Sequence, residues 1–276
     1  MSKEKTDRGD IQSRNEPFAA RTATRIWEEV PSADNPYLSQ TCRCHGYDLD
    51  DLMRKRSFVD VLYLLLRGDL PSIKQRQLFE TLLIGLINPG PRHAATRAAM
   101  NAGVGKTDTA HILPISLAVL GGDHLGGGEV TAAMAFLRRQ RREDPSASAR
   151  QLLAACERPL EGDWRVAPGF GSRFGGIDPQ PRAMADQLLA LAGAGEALRW
   201  ANHFAESLAP IQGGWLIPAV AAAVFLDLGF HPRAGAGLLQ IASAPGLLAQ
   251  GLEMANQPRT AMPFPDDEHF LIEESK

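Results

Sequence analysis

Apolar segments with a helical repeat make up most of this chain, and most of them end at a glycine or a proline. Residues 58–66 stop at Gly68 with Pro71 just beyond, which is a typical helix end. The same pattern predicts helices over residues 72–86, 93–102, 110–120 and 130–142, from Pro145 onward, and over 183–192, 196–208, 214–228, 232–241 and 245–254. No segment alternates apolar and polar side chains as a half-buried strand does. The sequence therefore predicts an all-α fold.

Length and charge limit the class of protein. The chain has 276 residues, 44% of them hydrophobic, which is enough to fill one large domain or two unequal ones. Its net charge of −3 leaves no broad basic field for a nucleic-acid backbone. Residues 1–25 are polar without the apolar core of a signal peptide, and the apolar run 215–226 is too short for a bilayer. We expect a cytoplasmic protein with disordered ends (1–25 and the tail after Asp266) and with no nucleic-acid or membrane partner.

Metal and nucleotide sites are not expected. Cys42, Cys44 and His45 supply zinc-binding atoms, but a closed structural zinc site needs a fourth ligand, and no second cluster follows. Residues 103–107 (GVGKT) look like a phosphate loop, yet Met100 stands where the full motif needs glycine, and no strand precedes it. The three cysteines fit a reducing compartment better than a disulfide framework.

A glycine-rich turn surrounds one histidine. Residues 121–129 (GGDHLGGGE) place flexible glycines on both sides of His124, between two predicted helices. Glycine lets a backbone approach a ligand closely, and a helix N-terminus attracts anions. The segment is therefore either an anion cradle, with Gly126 and Gly127 at the ligand, or a tight interhelical turn with a surface histidine.

Several strings recur at spacings that together resemble one family. The longest are residues 46–49 (GYDL) and 57–71 (SFVDVLYLLLRGDLP). The others are residues 94–96 with Gly103, 122–127, 168–173 with 178–183, and 228–230 with 244–250. They resemble the strings GYD…SFxxVxYLLLxGxLP, NAST…G, GPxHGG, GFGHR…DPRA and LGI…RxPGxxAH of the citrate synthase and citryl-CoA lyase superfamily. The resemblance covers about residues 40 to 255.

The resemblance implies a fold and a type of reaction. It implies a large helical domain (26–121 and 221–276), a smaller helical domain (122–220) that closes over the substrate, and a homodimer whose sites draw residues from both subunits. Family members join or cleave a carbon–carbon bond between the α-carbon of a CoA thioester and a keto acid. A CoA thioester is therefore the implied substrate, with no tightly bound cofactor and no metal.

The three catalytic groups of that family are missing from this chain. By register, the histidine that stabilises the enolate falls on Leu125, the histidine that polarises the keto carbonyl on Ser172, and the basic aspartate on Gly213. Leucine and glycine offer no polar side-chain group, and serine donates only without charge. The standard acid–base mechanism cannot run with these residues, and which group replaces the base at Gly213 stays open.

Two hypotheses of different classes follow from this departure. In the first, the protein is a divergent carbon–carbon lyase or acyltransferase in which His124 or Glu129 supplies the missing chemistry and Ser172 donates to a carbonyl. Arg173 and Arg182 would then hold carboxylates, because a guanidinium fork matches them. In the second, the protein is a regulatory homologue that binds a CoA ester or polycarboxylate without turnover.

Two further residues are candidates for substrate binding. His93 takes the place of the asparagine in the NAST string, where it either contacts the ligand or simply caps a helix. Arg259 either reaches the site of the other subunit or is an ordinary exposed charge.

Overall fold

The computed structural model describes residues 23–263. Contacts divide the chain after Leu70 into two compact units, which are described one after the other. Most of the predicted disordered segment 1–25, and the tail after Asp266, lie outside the described residues. The division into a large domain (26–121 and 221–276) and a small domain (122–220) stays a prediction.

The unit that ends at Leu70 combines a small sheet with two helices. It contains β1 (Trp27–Pro31), β2 (Ser39–Cys44), β3 (Tyr47–Asp48), α1 (Leu49–Lys55) and α2 (Phe58–Arg67). The strands are antiparallel in the order β1-β2-β3. The sequence did not predict them, because most side chains of β1 and β2 are exposed and no buried face imposes an alternating pattern.

Local sequence signals account for α2. Ser57 and Asp60 form a reciprocal capping box at its start, and Gly68 ends it in the left-handed conformation with φ of 87°. Inside this unit, Cys44, Leu52 and Leu64 form a small apolar core. The helix predicted for residues 58–66 is confirmed to within one residue.

Helices dominate the unit that begins at Pro71. Its helices are α3 (Ile73–Gly85), α4 (Ala94–Val104), α5 (Ile112–Leu120), α6 (Gly127–Gln140), α7 (Pro145–Ala155), α8 (Pro179–Leu189), α9 (Glu196–Ser207), α10 (Ile217–Asp227) and α11 (Gly235–Ala255). Its strands are β4 (Trp164–Ala167), β5 (Phe170–Ser172) and β6 (Gly214–Trp215), which pair antiparallel in the order β4-β5-β6. The all-α class is confirmed, with small sheets as additions.

Two local predictions were wrong in this unit. The segment 160–181, for which no strand was predicted, contains the hairpin of β4 and β5, whose short strands are too irregular to show a period of two. Residues 232–241 and 245–254, expected to be two helices, belong mostly to α11, which carries Pro245 in its interior. Packing of α11 against α4, α5 and α6 outweighs the proline, since tertiary contacts override local propensity.

The centre of this unit is α10. Every residue from Pro218 to Phe225 is buried, and the helix packs against α6 and α9 as well as α3 and α8. A helix that is apolar all round has to be buried, and the surrounding helices bury this one. Among the described residues, no helix is both long and apolar enough to cross a membrane.

The string that looked like a phosphate loop closes a helix end instead. Lys106 Nζ donates hydrogen bonds to the carbonyl oxygens of Ala255, at 2.7 Å, and Gln257, at 2.5 Å, where α11 ends. A cation there satisfies carbonyls that the helix itself leaves unpaired and opposes the negative end of its dipole.

We expect Lys106→Met to lower the free energy of unfolding by about 1 kcal/mol, because the carbonyls lose a charged donor. Lys74→Met, which alters an exposed lysine at the start of α3, is the matched control and should leave stability unchanged. Urea unfolding of the three proteins measures the difference. Equal stability of the two variants would show that the two bonds of Lys106 contribute nothing.

Candidate functional site

The glycines of the turn between α5 and α6 serve the packing of the turn itself. A methyl group on Gly126 would overlap the carbonyl oxygen of Gly122, and one on Gly127 would lie 2.8 Å from Cβ of Ala236. Within the turn, the residue with a left-handed backbone is Leu125, at φ of 56°. The close backbone approach predicted at Gly126 and Gly127 is thus made within the protein.

Glu129 holds this turn against the β4–β5 hairpin. Its buried carboxylate accepts from the backbone N–H of Leu125 at 2.7 Å through Oε2. Oε1 accepts from the backbone N–H of Gly169 at 3.0 Å and from Nη1 of Arg165. Three donors therefore engage both oxygens, and the carboxylate is a structural anchor in this conformation.

A second carboxylate, that of the partly buried Asp163, joins two arginines of the hairpin. Arg165 Nη2 donates to Asp163 Oδ2 at 3.2 Å, and Arg173 Nε donates to Asp163 Oδ1 at 3.1 Å. His124 Nδ1 lies 3.3 Å from Arg165 Nη2, and the histidine side chain is 71% exposed. The two carboxylates, Glu129 and Asp163, balance the two guanidinium groups, and His124 lies at the solvent side of the network.

A cleft of about 640 Å³ lies beside this network. Its polar lining comes from Arg92, His93, Arg173, Asp178 and Gln180, and its apolar lining includes Leu125, Phe174 and Ile177. Cations over an apolar wall suit a ligand that carries a carboxylate, because a guanidinium can bind both oxygens at once.

His93 caps α4 and also lines the cleft. Its Nδ1 accepts from the backbone N–H of Ala95 at 3.1 Å, so in the neutral ring Nε2 carries the hydrogen. Nε2 lies 3.3 Å from the carbonyl oxygen of Leu125, the position at which the resemblance places a histidine. The capping role considered from the sequence is present, and the neutral ring directs its Nε2–H at the Leu125 carbonyl beside the cleft.

The surroundings of His93 favour its neutral form. Burial lowers the pKa of the His93 ring, the hydrogen bond to Leu125 opposes this shift, and electrostatic interaction with His124, Arg173 and Arg97 lowers the pKa further. A protonated ring would also lose the acceptor that caps α4.

This lowered pKa makes stability depend on pH. Below about pH 6.5 the unfolded chain takes up a proton on His93 more readily than the folded chain, so folding stability falls as the pH falls through that value. We expect His93→Asn, which keeps a good capping side chain, to lose less stability between pH 7.5 and pH 5 than the wild type. Urea unfolding at the two pH values measures this, and identical losses would contradict the assignment.

Neither of the other two positions of the missing trio carries a side chain of the family type. Ser172 is buried, and its Oγ donates to the carbonyl oxygen of Gly176 at 3.5 Å. Gly213 is buried as well, and a methyl group there would lie 3.1 Å from Cδ1 of Ile211. The backbone at Gly213 therefore has little room for a carboxylate side chain.

Two predicted arginines lie outside the cleft lining. Arg182 Nε donates to Asp186 Oδ1 at 3.1 Å, one turn along α8, and the side chain is 47% exposed. Arg259 is exposed in a short 3-10 turn after α11. Gln180 lines the cleft instead, and counting the DPRA string from Asp178 without a gap would have identified its position.

Groups of metal-binding side chains and the three cysteines bear on whether the protein could hold a metal ion. In the part of the chain that the structure describes, no three His, Cys, Asp or Glu side chains are grouped so as to hold a metal ion. Cys42, Cys44 and Cys156 are all free thiols.

Solved structures share this architecture. Citryl-CoA lyase from Hydrogenobacter thermophilus matches with a TM-score of 0.74 and 23% identity over 92% of this chain and 95% of its own. ATP citrate lyase from Methanothrix soehngenii, in complex with citrate and coenzyme A, matches with a TM-score of 0.69 and 16% identity over 99% of this chain and 48% of its own. Citrate synthase from Thermoplasma acidophilum matches with a TM-score of 0.59 and 18% identity over 80% of this chain and 58% of its own.

The chain therefore has the helical fold of the citrate synthase and citryl-CoA lyase superfamily, and the predicted resemblance is confirmed at the level of the fold. Among these structures, the citryl-CoA lyase matches over nearly the whole of both chains, whereas this chain spans about half of the ATP citrate lyase. No protein-family model matches the sequence, and no curated protein was found as a relative.

Proposed function

We propose that the protein is citryl-CoA lyase-like and binds a CoA thioester and a keto- or polycarboxylic acid in the cleft lined by Arg173 and His93. The observation that carries this proposal is the state of Arg173. Asp163 fixes its Nε, while no described residue accepts a hydrogen bond from its two terminal nitrogens. A guanidinium held in this way presents a preorganised fork to a carboxylate.

The ligands of structures with this fold are of the same chemical class. The ATP citrate lyase is in complex with citrate and coenzyme A, and the citrate synthase with carboxymethyl coenzyme A and oxaloacetate. The carboxylates of Glu129 and Asp163 both accept hydrogen bonds from protein donors beside the cleft, so neither is an unengaged base. These contacts favour a protein that binds the ligand and does not turn it over by the standard acid–base mechanism.

Isothermal titration with malonyl-CoA, acetyl-CoA, citrate and oxaloacetate tests the binding. At least one carboxylate ligand should bind and should raise the melting temperature by mass action. Absence of binding and of any thermal shift across all four ligands would overturn the proposal.

A second candidate is carbon–carbon bond cleavage or Claisen-type condensation by a non-standard mechanism. It is favoured by one observation, that the imidazole of His93 and the carboxylate of Asp178 line the same cleft. An acid and a base close to one ligand are the minimum for enolate chemistry. His124 and Glu129 are less suited to this role, since their contacts are with the hairpin network.

Exchange of the α-protons of acetyl-CoA and malonyl-CoA in deuterated water separates the two candidates. Turnover predicts exchange above the buffer rate that His93→Asn abolishes and His124→Ala leaves intact. Binding alone predicts ligand affinity without exchange in any of the three proteins.

We also propose a cytoplasmic homodimer in which the partner's Arg259 contributes to the site. Every side chain of α5 is uncharged, and the exposed face formed by Pro114, Ile115, Ala118 and Val119 is apolar. Such a face is stable when another surface covers it, and a second copy of the chain would do so. Light scattering after gel filtration should give twice the mass of the chain, and the mass of one chain would contradict the dimer.

A further inference from the structure

The residues that follow β5 form a second tight turn, and its backbone conformation is unfavourable. Arg173 and Gly176 pair through two backbone hydrogen bonds of 2.8 and 2.9 Å, which leaves Phe174 and Gly175 as a two-residue loop. Both loop residues have left-handed φ angles, 47° at Phe174 and 81° at Gly175. Asn-Gly is the favoured pair for such a loop, whereas phenylalanine rarely adopts this conformation.

Packing does not offset this strain. The side chain of Phe174 is 76% exposed, and its ring contact is with the guanidinium of Arg173, 5.9 Å from the ring centroid. Strained backbone that the surrounding structure does not require is found most often where a protein contacts a ligand.

Phe174 lies between two cavities. It lines the 640 Å³ cleft of Arg173 and His93, and it also lines a neighbouring cavity of about 470 Å³. The walls of the second cavity include Trp164, with the guanidinium of Arg158 placed 5.6 Å from its ring centroid. Phe174 is the residue that these two linings have in common.

We propose that Phe174 is a specificity-determining residue that selects an elongated acid over a short one. The carboxylate of the ligand binds Arg173, its apolar chain lies on the Phe174 ring, and its remainder enters the cavity beside Trp164. This inference rests on the proposed function, since it extends the same site. A short acid fills the cleft alone and does not need the ring, whereas a CoA thioester of that acid does.

The test compares malonyl-CoA with malonate on the wild type and on Phe174→Asn. The substitution creates the favoured Asn-Gly loop, so the melting temperature should stay equal or rise by about 2 °C. The affinity for malonyl-CoA should fall about tenfold, because the ligand loses an aromatic contact, while the affinity for malonate should change less than about twofold. Phe174→Tyr keeps the ring and should bind both ligands as the wild type does.

Opposite signs for stability and affinity distinguish a ligand contact from a structural role. A melting temperature of Phe174→Asn several degrees below the wild type would overturn the inference, because the ring would then support the fold. Wild-type binding of malonyl-CoA that Phe174→Asn retains would overturn it as well, and would leave the proposed function standing. Failure of the wild type to bind either ligand would overturn the proposed function itself.

Discussion

Replacement of Glu129 by alanine is expected to lower the free energy of unfolding by about 3–5 kcal/mol, as removal of one partner of a buried ion pair does. The carboxylate is buried and accepts from the guanidinium of Arg165 and from the backbone N–H groups of Leu125 and Gly169. Its removal leaves Nη1 of Arg165 and the two backbone N–H groups without their acceptor. The turn and the hairpin would then separate.

Urea unfolding of Glu129→Ala and Glu129→Gln measures this effect. The amide keeps one acceptor oxygen, so the glutamine variant should fall between alanine and the wild type. Glu80→Ala, which removes an exposed carboxylate from α3, is the control and should be within about 0.5 kcal/mol of the wild type. If Glu129→Ala were as stable as this control, the carboxylate would be free for catalysis, as one of the sequence-based hypotheses requires.

Replacement of Arg173 by glutamine should weaken carboxylate binding about 10- to 100-fold, the value of a charge-assisted hydrogen-bonded contact. Glutamine cannot form the two-pronged contact and carries no charge. Arg182→Gln is the matched control, because Arg182 pairs with Asp186 and Glu206 and is absent from the cleft lining. We expect less than about a twofold change for that variant.

Titration of both variants with malonate and malonyl-CoA measures these effects, together with a melting curve that verifies folding. The reverse result, with Arg182→Gln impaired and Arg173→Gln unaffected, would place the carboxylate at the arginine that the sequence alone also favoured.

Helices were predictable from the sequence where local signals determine them. Capping boxes at Ser57 and Ser72 and the left-handed Gly68 mark helix ends within a few residues. The strands escaped prediction for a physical reason. Backbone hydrogen bonds pair β1 with β2, and neither strand has a buried face. Their side chains therefore carry no alternating pattern.

The candidate site was predictable in residue type but not in arrangement. His93 and Arg173, chosen by their place in family strings, both line the cleft. The role of Glu129 depends on Gly169, forty residues further along the chain, and no local pattern encodes that contact. Two extra residues in the DPQPRA segment place Arg182 two positions further along α8 and leave Gln180 at the cleft.

A crystal structure of the protein with malonyl-CoA tests the central claim most directly. The account predicts the free carboxylate within hydrogen-bonding distance of the terminal nitrogens of Arg173, His93 Nε2 near an oxygen of the ligand, and the chain of the thioester against Phe174. Malonyl-CoA bound away from this cleft, or with its carboxylate at Arg182, would contradict it.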